Sequence, residues 1–399
     1  MVAPFAIGRL PRIEFGSGSL DKLPGIAAGY GQHLLLVVGA RSFSSAPRSE
    51  ALLEALRAAG MTWDVVRIAG EPSPETIDDT VAERRGSGVD AVIGIGGGSV
   101  LDAAKAIAGL LQPGNSVMDH LEGVGPEKPY RGPPTPFIAV PTTAGTGSEA
   151  TKNAVLSRLG PDGFKKSFRD EKLMAEVAIL DPDLLATCPP DLIAANGMDA
   201  FTQLLEAYVS IRANPITDAL ALTGLEAARD GLLPWYQGGD GVALARERMA
   251  LASLLSGICL AQTGLGSVHG LAQPLGSFFP IPHGVVCGTL VAAATRVNID
   301  VMRARDAHNR ALAKYARVGR LFSAHGPLDD VGAQGLLVSV LDGWTRTMSL
   351  PTLSALGVGA QDVPRIIANC RGSSMKTNPV VLTDDEVAQI LATRLGSAV

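Results

Sequence analysis

Between residues 34 and 180 the chain keeps returning to one pattern, a short β-type run followed by a helical or glycine-rich stretch. The runs are LLLVV at 34–38, TWDVVRI at 62–68, AVIGI at 91–95, PFIAV at 136–140 and VAIL at 177–180. Strands that are apolar at nearly every position must be covered on both faces, which is the condition of a parallel sheet layered between helices. Between them, SEALLEALRAAG and ETIDDTVAERRGSG have helical periodicity and run into a glycine, a common helix stop. The pattern predicts a layered α/β domain over residues 1–190. Beyond the Pro189-Pro190 pair helical periods dominate, at 199–212, 215–232, 242–262, 287–299, 308–324, 331–347 and 384–395. Residues 191–399 are therefore expected to form an all-α domain.

A chain of 399 residues can bury two cores, and 46% hydrophobic against 18% charged residues is a globular balance. The net charge of −5 offers no basic surface to nucleic acid. The four cysteines, Cys188, Cys259, Cys287 and Cys370, are far apart and none belongs to a CxxC pair. That spacing indicates neither a disulfide framework nor a thiolate zinc site, and it suits a reducing compartment. No run of eighteen apolar residues occurs, and the N-terminus lacks a basic segment leading into an apolar core. The expectation is a cytoplasmic protein without a membrane partner.

The third β-type run leads into IGGGSVLDAAKAIAGLL, where Gly96, Gly97 and Gly98 precede Ser99 and a helical period. Consecutive glycines let a ligand approach the backbone closely, and the amides and dipole of a helix start favour a pyrophosphate. Ser99 and Asp102 also match a capping box, a structural account of both side chains that leaves the glycine run unexplained. The stretch is neither GxGxxG nor a P-loop, because Lys105 is misplaced for the latter. A second glycine-rich turn, VPTTAGTGSEATKNAV at 140–155, follows the fourth run and carries Thr142, Thr143, Thr146 and Ser148. Such turns are ordinary loops when single; two at the carboxyl ends of parallel strands mark a ligand crevice.

The helical half holds a second constellation. His269 and His283 bracket GSVHGLAQPLGSFFPIPHG, the first opening a helical run and the second expected on a loop between Pro282 and Gly284. Upstream, Asp199, Gln203 and Glu206 share one helix face in NGMDAFTQLLEAYVS. Two imidazoles and one carboxylate, Asp199, make a metal site with open positions that can polarise a substrate oxygen. Taken singly, each of the three also fits a hydrogen-bonded core histidine or a helix-start acid.

With GGGSVLDAAK at 96–105, PTTAGTGSE at 141–149, DPDL at 181–184, GMDA at 197–200, VHGLAQPLG at 268–276, IPHG at 281–284 and TNP at 377–379, the chain resembles the iron-containing (group III) alcohol dehydrogenases along essentially its whole length. The resemblance implies an N-terminal nucleotide-binding domain, a helical domain, and a cleft holding NAD(P) and one divalent metal, Fe2+ with Zn2+ as the alternative. It implies Asp199, His269 and His283 as ligands, Gly97, Gly98 and Ser99 as pyrophosphate loop, and Thr142 and Thr143 as cofactor contacts; Asp102, Thr146 and Ser148 complete the expected cofactor-binding set. Lys165 matches a family lysine near the nicotinamide, with Lys166 as the neighbouring register. A homodimer or higher homo-oligomer acting on a small alcohol or aldehyde follows from the same likeness.

The chain departs from the family at Gln203, where relatives place a fourth, histidine ligand, and at Gln273, where many carry a histidine suited to proton transfer. Gln203 is expected to be a weak ligand or none, and Gln273 to stand in the catalytic position without titrating. Ala40 and Arg41 replace the acid by which NAD-preferring relatives bind the ribose, which points to NADP ahead of NAD. Alternatives are a maleylacetate-type reductase using Arg371 and Lys376 on a carboxylate, a dehydroquinate-synthase-like lyase, or a lapsed metal-free homologue. Phe278 and Phe279 fit either a substrate pocket or the core, and Trp344 the core.

Overall fold

The structure is a computed structural model that describes residues 3–40, 43, 48–160, 163–324 and 326–396. The chain divides into two compact units. One is Ile7–Arg158 with Gly163–Cys188; the other runs from Pro189 to the C-terminus and takes in two short segments, before Ile7 and after Arg158.

The N-terminal unit contains β1 (Arg12–Phe15), α1 (Leu23–Ala27), β2 (His33–Gly39), α2 (Ser49–Ala58), β3 (Thr62–Ile68), α3 (Pro74–Arg84), β4 (Ala91–Gly96), α4 (Gly98–Leu110), β5 (Phe137–Pro141), β6 (Asn153–Arg158), β7 (Phe164–Arg169) and β8 (Val177–Leu180). Six strands form a parallel sheet in the order β1-β8-β5-β4-β2-β3, while β6 and β7 pair as a separate antiparallel hairpin. The five expected strands are all present; β1 and the hairpin were not anticipated. β1 lies at the sheet edge with two of its four residues exposed, so its RIEF sequence lacks the apolar signature of the inner strands.

Double coverage explains that signature. Leu35 and Val37 of β2 face Ile77 and Val81 of α3 and Leu101 and Ile107 of α4. Leu34, Leu36 and Val38 point the other way, to Leu23, Leu52 and Leu56. Each such Leu or Ile contributes about 2 kcal/mol by leaving water. From β2 the chain steps to β3 on one side, then returns to β4 on the other, so the sheet changes direction between β2 and β4. Parallel α/β sheets take their ligands at the carboxyl ends of such a pair.

The second unit is helical: α5 (Pro190–Val209), α6 (Pro215–Gln237), α7 (Val242–Thr263), α8 (Ser267–Phe278), α9 (His283–Arg305), α10 (Arg310–Arg320), α11 (Asp330–Thr347), α12 (Val363–Asn369) and α13 (Asp384–Leu395). α5 begins at Pro190 rather than 199, because a proline in the first turn gives up no intrahelical hydrogen bond. α9 is long and apolar enough to span a bilayer, yet 83% of its most apolar stretch is buried inside the protein. Two glycines on α9 set its distance from α5. A Cβ on Gly284 would lie 2.4 Å from the Ala195 carbonyl oxygen, and one on Gly288 2.9 Å from Met198 Cβ. The close approach places Asp199 against the first turn of α9. Trp344 packs in the core against Phe201 and Phe322, at ring distances of 5.1 and 5.5 Å.

Candidate active site

In the N-terminal unit the two glycine-rich turns leave neighbouring strands at the same level, with Gly96 opposite Pro141. α4 starts at Gly98, capped by Gly97 in extended conformation without a side-chain hydrogen bond. The anticipated capping box is not formed: Ser99 lies inside the first turn, and Asp102 accepts from Ser148 Oγ at 2.5 Å. Packing supplies a second reason for the glycine run. A Cβ on Gly98 would come within 2.7 Å of the Thr146 side chain and one on Gly97 within 3.2 Å of Thr143 Oγ1. A side chain here would push the facing turn away from the helix start. Thr142 is held by its own N–H, which donates to Gly96 O at 3.0 Å.

Behind the turns lies Lys105, fully buried, whose ammonium donates to Ser148 O (2.8 Å), Thr151 Oγ1 (3.0 Å) and Asn153 O (2.6 Å). Burial brings its pKa down to about 8 and pushes that of Asp102 upward. Asp102 and Ser148 are thus committed to joining the two turns. Burial also raises Glu149 to about 7, and its Oε1 has no hydrogen-bond partner. Lys165 pairs with Glu71, while Lys166, next along β7, reaches toward Gly123. Arg41 lies outside the described residues.

In the helical unit three separate helices bring donors together. Asp199 projects from the middle of α5 and His269 from the first turn of α8. His283 is the first residue of α9, not a loop residue, because Pro282 is that helix's N-cap and Gly284 fits its first turn. Asp199 Oδ1 is 3.2 Å from His269 Nε2 and 3.7 Å from His283 Nε2. One donor atom each from Asp199, His269, His283 and Cys287 lies within 4.8 Å of all the others. Burial opposes the Asp199 charge, yet His283 and His269 hold its carboxyl down to about 2. Its second oxygen, Oδ2, is buried without a partner. An anionic carboxylate with an orphaned oxygen, facing two imidazole nitrogens, fits a divalent cation of the iron or zinc kind.

Glu206, two turns beyond Asp199 on α5, fixes one of these donors. Its carboxylate accepts from the backbone N–H of Gly266 (3.0 Å) and Val268 (2.7 Å) and from His269 Nδ1 (2.7 Å). With Nδ1 donating, Nε2 is the atom left to face Asp199. Glu206 thus caps α8 and orients its histidine, a role that its shared face with Asp199 foreshadowed without revealing. Asn378 of the TNP stretch accepts from Ser267 N–H at 3.0 Å and bonds Asn298, so that motif anchors the same helix start. Gln203 turns away toward α7, its amide oxygen 3.1 Å from Ser256 Oγ. Gln273 lies against Gly372, where a Cβ would sit 2.7 Å from its Oε1. Phe278 is stacked under Arg365 at 3.8 Å. Arg371 is paired with Asp384 (2.6 Å) and Lys376 is exposed, an arrangement that gathers no cation pair for a carboxylated substrate.

The sequence model of iron-containing alcohol dehydrogenases matches residues 11–182, and that of the family's C-terminal part matches 193–395. The chain belongs to the iron-containing alcohol dehydrogenase family. It is 31% identical to the 1-propanol dehydrogenase PduQ of Salmonella typhimurium over 388 residues, 95% of this chain and 97% of that one. It is 34% identical to alcohol dehydrogenase 4 of Saccharomyces cerevisiae over 302 residues, 75% of this chain and 74% of the yeast protein. The solved structure of an archaeal halo-thermophilic alcohol dehydrogenase from a Red Sea brine pool superposes with a TM-score of 0.88 at 27% identity, covering 99% of each chain. The α/β unit followed by an all-α unit is this family's fold, and its chemistry is nicotinamide-linked alcohol oxidoreduction.

Proposed function

We propose that this alcohol dehydrogenase interconverts a small primary alcohol and its aldehyde, with a metal held by Asp199, His269 and His283 and a dinucleotide held at the head of α4. The observation that carries the reading is the convergence of these donors within 4.8 Å around a buried carboxylate oxygen that nothing else satisfies. When bound, the metal supplies Lewis-acid polarisation of the carbon–oxygen bond and the nicotinamide supplies or accepts the hydride.

The chain's own groups divide the work. Asp199 contributes negative charge at a site buried from water, where its attraction for a cation is little screened. Glu206 keeps the His269 ring from turning, so its Nε2 is presented without reorganisation. Gln273 can hydrogen-bond a hydroxyl but does not titrate, so the alcohol proton leaves through water or the cofactor ribose. Gly97, Gly98 and Ser99 offer amides to the pyrophosphate, and Thr142, Thr143 and Thr146 line the facing turn. The cofactor is NADP in preference to NAD, supported by Arg41 beside Ala40 in place of an acid. The working protein is a homodimer or higher oligomer of the cytoplasm, a setting that suits four free cysteines.

The test is oxidation of short-chain alcohols with NADP and NAD before chelation, after it, and after return of Fe2+ or Zn2+. Activity should vanish with chelation and reappear with metal. A metal-loaded protein that binds cofactor yet oxidises no alcohol would remove the proposed reaction.

A further inference from the structure

We infer that Cys287 is a fourth protein ligand of this metal, bound as a thiolate in the place that Gln203 leaves unfilled; the inference rests on the metal site proposed above. His283 and Cys287 are four residues apart on α9 and so project from the same face of the helix. Cys287 Sγ is 3.6 Å from His269 Nε2 and 3.8 Å from His283 Nε2. Tetrahedral coordination at about 2.0–2.1 Å for nitrogen and oxygen and about 2.3 Å for sulfur puts neighbouring nitrogen and oxygen donors about 3.3 Å apart, and sulfur and nitrogen about 3.6 Å apart. The Asp199 contacts at 3.2 and 3.7 Å and the Cys287 contacts at 3.6 and 3.8 Å span a polyhedron of that size.

A buried cysteine usually serves as a small apolar filler. Cys287 instead turns its sulfur toward two imidazole nitrogens and the Asp199 carboxylate, all of them metal-binding groups. Gln203, by contrast, has its amide at Ser256 Oγ on another helix. Coordination replaces the S–H bond of Cys287 with a sulfur–metal bond and releases that proton to water. One thiolate and one carboxylate then balance a divalent cation, so the four-donor set is neutral, with the Glu206 carboxylate as the remaining buried charge beside His269. Sulfur in the donor set shifts preference toward zinc.

The experiment uses the full chain, stripped of metal and reloaded with one equivalent of Co2+ or Zn2+. The cobalt protein should show near-ultraviolet thiolate-to-cobalt charge transfer that is absent from Cys287→Ser, and zinc affinity should fall at least about tenfold in that variant. Zinc-edge X-ray absorption on the unaltered protein should find one sulfur near about 2.3 Å, a readout independent of how the variant folds. Stoichiometric metal with only nitrogen and oxygen neighbours would overturn the inference and leave the dehydrogenase reading intact. So would lost affinity in Gln203→Ala with none lost in Cys287→Ser. A protein that takes up no metal at all would overturn both.

Discussion

Around Gly97 and Gly98 the groups offered to a ligand are backbone amides at the head of one helix, whereas around Asp199 they are side chains gathered from three helices. The first arrangement is local: a strand, a few glycines and a helix start suffice, and the facing turn only has to fit against them. The second depends on helix packing, on the glycines of α9 that admit α5 and on Glu206 reaching across to α8. A backbone site tolerates most side-chain changes nearby but no added Cβ; a side-chain site fails when any one donor is lost.

That contrast is sharpened most by Asp199→Ala. Metal content should drop far below one equivalent and kcat/KM by about a thousandfold or more, the scale of several kcal/mol of lost charge stabilisation. NADP affinity, read by nucleotide titration, should stay within about twofold; a parallel loss would show that the two regions are not independent. Gly98→Val is the reciprocal lesion. Its side chain collides with Thr146, so cofactor dissociation constants should rise by about a hundredfold, or about 2.7 kcal/mol, while elemental analysis finds the metal undiminished. Glu206→Gln keeps the shape but weakens the hold on His269, and metal affinity by competition with a chelator should fall about ten- to a hundredfold.

The smallest effect is expected at Glu149, which tests whether the region behind the glycine turns is electrostatically strained. Its pKa rises on folding from 4.5 to about 7, so the folded state holds the proton more tightly and stability falls as pH rises across that interval. Glu149→Gln lacks this titration. The melting temperature of the variant minus that of the wild type should climb from pH 4.5 to 7 and level off above; a difference that does not change with pH would mean that burial of Glu149 costs nothing.

The same contrast governs what could be read from the sequence. Inner strands announce themselves because both faces are covered, as at Leu34–Val38, and the glycine turns because their residues are contiguous. β7, FKKSFR, escapes notice because its middle is polar and only Phe168 is buried, so no apolar run marks it. Asp199, His269 and His283 were legible as residue types suited to one ion, but their supports were not. Reading Pro282 and Gly284 as chain breakers put His283 on a loop, and that concealed the helical spacing to Cys287. The capping box at Ser99 failed for a related reason: a motif gives spacing, while the position of the helix start is decided by what packs on it.

Glu206 ties two parts of α8 to one carboxylate. Because its carboxylate serves the opening turn of α8 and the ring of His269 together, loss of that carboxylate would loosen the ring and the turn as a single event. The buried segment around Gly264–His269 is therefore where a protease is expected to find a Glu206→Gln chain open first, a cost in lifetime added to the cost in metal affinity. Limited digestion of Glu206→Gln beside the unaltered protein, with cleavage sites mapped, would display that link directly.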